Sequence, residues 1–139
     1  MRAIGLDLGT KRIGVAVSDF SGTIASPHSV IFRSKSVRLD HQKILDLVIE
    51  EEAEIVVVGL PLLMSGGHGP AAKAATTEAR RLSTVLSVPV EMFDERMTTV
   101  AADRVLKEAE LSATARRQFV DKVAAAIMLQ AWLERRRSS

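Results

Sequence analysis

The stretch "AIGLDLGTKRIGVAVS", residues 3–18, decides the fold. Ile4, Leu6 and Leu8 alternate with Ala3, Gly5 and Asp7, a period of two that marks a strand with unlike faces. Residues 12–18 repeat the pattern, with Ile13, Val15 and Val17 set against Gly14, Ala16 and Ser18. Only "GTKR" separates the two runs, so they are expected to pair as an antiparallel hairpin. One face is bulky and apolar. The other consists of small residues, which lets a helix or a ligand approach the backbone closely. Asp7 belongs to that small face. A buried carboxylate without a partner costs several kcal/mol or gives up its charge. Asp7 is therefore either exposed or met by something in the fold or the solvent.

Outward from the hairpin, "HSVIFR" (28–33) follows the turn-rich "SDFSGTIASP" and extends the meander to a third strand. The period then changes. From about residue 36 to 52, Val37, Ile44, Leu45, Leu47 and Val48 form a helical stripe. "EIVVVGL" (54–60) is a continuous apolar run, as a central parallel strand requires. "PLLMSGGHG" (61–69) is a glycine-rich loop, and Pro70 suits the first position of a helix through about Leu86. "VPVEMF" (88–93) reads as the fifth strand. "DERMTT" leads into a helix ending near Glu110, and the remainder is mostly helix. Three antiparallel strands followed by β-α-β-α imply an α/β fold with a mixed five-stranded sheet flanked by helices. The 139 residues are expected to form a single domain, 1–139.

There is no cysteine, so disulfides and thiolate metal sites are excluded, and a reducing cytoplasmic location is expected. The start does not read as a signal peptide, since Arg2 is followed at once by a strand-like run. The longest apolar run, "IVVVGLPLLM", is too short to cross a bilayer, so no membrane association is expected. Lys and Arg total 19 against 17 Asp and Glu, a net charge of +2 that only mildly favours a polyanionic partner. Basic residues recur at Lys11 and Arg12, at Arg33, Lys35 and Arg38, at Arg80 and Arg81, at Arg116 and Arg117, and in the closing "RRR". Aromatic residues make up 4%, too few for a base-stacking platform.

"GTKRIGV" follows phosphate-loop spacing up to its second glycine, but Val15 and Ala16 stand where Lys and Ser or Thr are required. His28, His41 and His68 are isolated and show no zinc-ligand spacing. What remains is acids in unusual places. Asp7 lies late in the first strand, Asp94 and Glu95 end the fifth, where open sheets bind ligands, and Asp121 precedes "KVAAA" in the last helix. That alanine run suits tight packing on Ala3, Gly5, Gly14 and Ala16, which would bring Asp121 towards Asp7. Carboxylates gathered there call for a divalent cation, and all-oxygen ligation suits Mg²⁺ or Mn²⁺. Each acid also has a structural role open to it. Asp121 suits the helix dipole, Asp94 suits a helix cap, and Glu95 could pair with Arg96.

"IGLDLGTKRIGVAVSD", "VVVGLP", "FDERMTT" and "VDKVAAAIMLQAWL" together closely resemble the YqgF family, in order and over nearly the whole chain. The resemblance implies an RNase H-like fold and a metal-dependent nuclease, described either for the ends of precursor 16S rRNA or for Holliday junctions. It implies that Asp7, Glu95 and Asp121 are the catalytic, metal-holding acids, with Asp94 the alternative to Glu95. Lys11, Arg12, Arg96, Arg116 and Arg117 become candidates for holding a nucleic-acid backbone. The chain departs from the family pattern in its loop, where Leu63, Ser65 and His68 replace polar positions. Related junction resolvases also carry an acid one turn after the last-helix aspartate, where Ala124 stands here. That difference favours rRNA processing over junction resolution. A non-catalytic assembly or transcription factor is a third reading. Sugar-kinase-like ATPases share a loop like "LDLGTKRIG" but need a second domain, which this length cannot hold.

Overall fold

In a computed structural model, described for residues 1–98 and 113–138, the two alternating runs pair as their periodicity requires. Strand β1 (Ala3–Leu8) and β2 (Arg12–Ser18) are antiparallel, with Gly5 opposite Ala16 and Asp7 opposite Gly14. β3 (Ala25–Phe32) adds antiparallel to β2. β4 (Ile55–Leu60) and β5 (Val90–Asp94) run parallel to β1, giving the sheet order β3-β2-β1-β4-β5. The mixed five-stranded sheet is thus as expected.

The two faces of the hairpin dictate what covers them. The bulky side, with Ile4, Leu6, Ile13, Val15, Val56 and Val58, packs under α1 (Val37–Glu50) and α2 (Pro70–Val85). Ser36 caps α1 by accepting a hydrogen bond from Leu39 N, and Pro70 occupies the start of α2, where its missing N–H leaves no intrahelical bond unmade. The small side, with Ala3, Gly5, Gly14 and Ala16, lies under α3 (Ala113–Ser138). There Ala124, Ala125, Leu129, Trp132 and Leu133 are buried against it. Small residues on both partners let helix and sheet approach far closer than bulky layers allow.

Two boundaries differ from expectation. β3 begins at Ala25, three residues before His28, because the turn is confined to 19–24. Asp19 closes it, accepting from Thr23 N at 2.7 Å, Ile24 N at 3.1 Å and the Ser21 hydroxyl at 2.8 Å. Pro27 is tolerated within the strand because β3 is at the sheet edge and the register shifts between Val15 and Ala16 beside it. β5 begins at Val90 and ends at Asp94, followed by a 3₁₀ turn at Glu95–Met97. The helix expected after "DERMTT" lies outside the described residues, as do the side chains of Arg116 and Arg117. Among the described residues no helix is long and apolar enough to cross a membrane.

Candidate metal and nucleic-acid site

Asp7 is half-buried near the end of β1, and the two strands beside it present glycine at its level. On one side its partner is Gly14. A Cβ built on Gly14 would lie 2.0 Å from the backbone oxygen of Asp121, so only glycine lets α3 settle there. On the other side the parallel register pairs Leu6 with Val58, and Gly59 is the next residue of β4. A Cβ on Gly59 would lie 2.6 Å from Oε1 of Glu95, so that carboxylate rests where a side chain would otherwise be. Two glycines therefore bring Glu95 and Asp121 to the same end of the same sheet face as Asp7. This is the C-terminal end of the parallel strands β1 and β4, where open α/β sheets bind their ligands.

The acids differ in how they are held. Asp121 Oδ2 accepts from Arg12 Nε at 2.7 Å, with the two side chains about one-fifth exposed. Asp94 takes the capping role: it accepts from Arg96 N at 2.9 Å and from the Arg96 guanidinium at 2.8 Å. That side-chain bond from Arg96 is the main reason its carboxyl lies below the usual aspartate range. Arg96 is exposed and also donates to the Met64 carbonyl at 3.3 Å, tying the end of β5 to the glycine-rich loop. Leu63 and Met64 are exposed on that loop. Lys11 is exposed on the turn that follows Asp7.

Hard carboxylate oxygens from three elements are the donor chemistry that suits Mg²⁺ or Mn²⁺. The Glu95 side chain lies over Gly59, in space that a Cβ there would take. Among the described residues no three acidic or histidine side chains stand as a ready-made ion cage. The Arg12 guanidinium takes one of the two Asp121 oxygens, Oδ2.

Sequence reasoning missed a second polar cluster, on the opposite face. Arg33 makes a two-point pair with Glu78, at 2.9 Å and 2.7 Å, and His41 Nε2 lies 2.8 Å from the same carboxylate. Beside them Asp40, only 1% exposed, accepts from Ser34 N and the Ser34 hydroxyl. These partners lie 37 and 45 residues apart in the sequence, and no local pattern signals them.

The family model described as "RuvX: Holliday junction resolvase" matches residues 1–135. The chain belongs to the RuvX (YqgF) family. A RuvX relative from Myxococcus xanthus, named "Putative pre-16S rRNA nuclease", is 47% identical over 137 residues, covering 99% of this chain and 90% of its own. One of the same name from Moorella thermoacetica is 48% identical over 135 residues, covering 97% and 96%. Among solved structures, Thermus thermophilus RuvC in complex with a Holliday junction substrate superposes with a TM-score of 0.63 at 17% identity. The match covers 100% of this chain and 97% of that one, and it shows that the RuvX fold here is RNase H-like. RuvX is a nuclease family, so its substrate is nucleic acid.

Proposed function

We propose that this chain hydrolyses phosphodiester bonds of precursor 16S rRNA with Mg²⁺ or Mn²⁺, held by Asp7, Glu95 and Asp121. The supporting observation is the pair of glycines, Gly14 and Gly59, that admit an α3 acid and a post-β5 acid to the level of Asp7. Relatives at 47% and 48% identity, each named for pre-16S rRNA, support RNA as the substrate. So does Ala124, which is 4% exposed where a fourth acid would have to be buried. When bound, divalent ions supply an activated water and neutralise charge on the leaving oxygen. Lys11, exposed beside Asp7, holds the phosphate backbone without reading bases, and Arg96, Arg116 and Arg117 extend that contact. Arg12 holds Asp121 in orientation and adds positive charge next to the scissile group. Asp94 positions Arg96 and the loop rather than the ion. We place residues 1–139 as one working domain in the cytoplasm, where precursor rRNA is made.

The test compares cleavage of a precursor 16S end fragment and a four-way DNA junction, with and without Mn²⁺, by wild type and Asp7→Asn. RNA cutting that requires both Mn²⁺ and Asp7 is the expected result. Undiminished cutting by Asp7→Asn refutes the site. Cutting of the junction alone supports the resolvase activity for which the family model is named. Binding without cutting supports an assembly factor.

A further inference from the structure

We infer that Arg33 is a positioning residue for the turn that carries Lys11 and Arg12, and that Glu78 and His41 hold it there; this rests on the nuclease reading above. The turn begins directly after β1, so its conformation sets the relation between Asp7 and the two cations. Arg33 grips it twice. Its backbone N donates to the Lys11 carbonyl at 3.0 Å, and its side-chain Nε donates to the Gly9 carbonyl at 2.7 Å. One residue thus satisfies two carbonyls of a very short turn.

The guanidinium is itself fixed. Nη1 and Nη2 donate to the two oxygens of Glu78 on α2, in the planar two-point geometry that guanidinium and carboxylate share. His41, 2% exposed on α1, shares Glu78 Oε2. The Arg33 and Glu78 side chains are 16% and 14% exposed, which leaves the pair little freedom to rearrange. A pair that only tied β3 to α2 would need no third bond. The Nε donor on Gly9 extends it to the turn, linking the helices of one face to the site on the other. Lysine has a single nitrogen and cannot span Gly9 and both Glu78 oxygens together.

The experiment compares the full chain with Arg33→Lys and with Glu78→Gln, which keeps one acceptor for the guanidinium. Amide hydrogen exchange at Gly9, whose N–H donates to the Arg12 carbonyl at 3.0 Å, reads the turn directly. Exchange there should rise about tenfold in Arg33→Lys, the equivalent of one lost hydrogen bond. RNA turnover at saturation should fall by between about tenfold and about a hundredfold, as small misplacements do. RNA affinity should stay within about twofold, with an unchanged salt slope, because no phosphate contact is removed. Unchanged exchange and turnover overturn the inference. A loss of RNA affinity of about tenfold or more with unchanged exchange at Gly9 also overturns it, making Arg33 a substrate contact instead. If wild type cuts no RNA while Arg33→Lys still loosens the turn, the nuclease reading fails and the positioning role stands. If Arg33→Lys does not fold, the same readings on Glu78→Gln decide.

Discussion

Replacing Gly14 by alanine tests the tightest clearance at any glycine of the chain. The new methyl would lie 2.0 Å from the Asp121 oxygen and 2.4 Å from its carbonyl carbon, whereas ordinary contact begins at 3.4 Å. Helix α3 must therefore lift by about 1.4 Å at that point. The obstacle is main chain within a helix, which cannot rotate aside as a side-chain tip can. Overpacking of this kind costs about 1–3 kcal/mol, and a backbone obstacle places Gly14→Ala at the upper end. At roughly 2–4 °C per kcal/mol for a chain near this size, Tm falls by about 10 °C. Asp121 moves with the helix, and a displacement of that order lowers RNA cleavage by about a hundredfold. Urea denaturation read by Trp132, the single tryptophan and 4% exposed on α3, gives the stability change. A midpoint within about 0.5 kcal/mol of wild type, the range of an ordinary surface substitution, would refute the close-packing argument.

Gly59→Ala meets a movable obstacle, the Glu95 carboxylate at 2.6 Å, so it should separate function from stability. Cleavage falls by at least about tenfold while the urea midpoint shifts by less than about 1 kcal/mol; a large loss of stability would contradict the reading. Lys11→Ala, at an exposed position, should lower the slope of log affinity against log salt by about one. Its Tm should be unchanged. For Glu78, burial alone raises the carboxyl pKa, but hydrogen bonds from Arg33 and His41 outweigh it and hold it below its ordinary 4.5. Such a depressed pKa contributes stability in full above pH 4.5, and the contribution is lost as pH falls through the lower folded-state value. Urea midpoints between pH 7 and pH 3 should therefore fall less steeply for Glu78→Gln than for wild type.

The hairpin, its two unlike faces and the helix that covers the small face were legible because each follows from period or residue size. Ala3, Gly5, Gly14 and Ala16 leave room, and "AAA" at 124–126 fills it. The placing of Asp121 over Gly14 follows from that same fit. The pairing of Asp121 with Arg12 was not legible, since strand periodicity says which face a residue takes and not which way a long side chain lies. The start of β3 was misjudged because Pro27 breaks a ladder only in an interior strand, and sheet order is a tertiary fact. Arg33, Glu78 and His41 escaped notice because each alone is an ordinary charged or polar residue. Their meaning comes only from strands and helices brought together across the sheet.

The close seat of α3 on β1 and β2 also has a consequence in time. Arg12 and Asp121 are 109 residues apart, and both sides of that contact must be present before the site exists. During synthesis β1 and β2 are made early and wait with their small face uncovered until residues 113–138 have emerged. Contacts of such high sequence separation form slowly and late, since a long loop must close before they stabilise anything. On the proposed reading, a nuclease assembled in this order lacks one acid of its site until residues 113–138 have emerged.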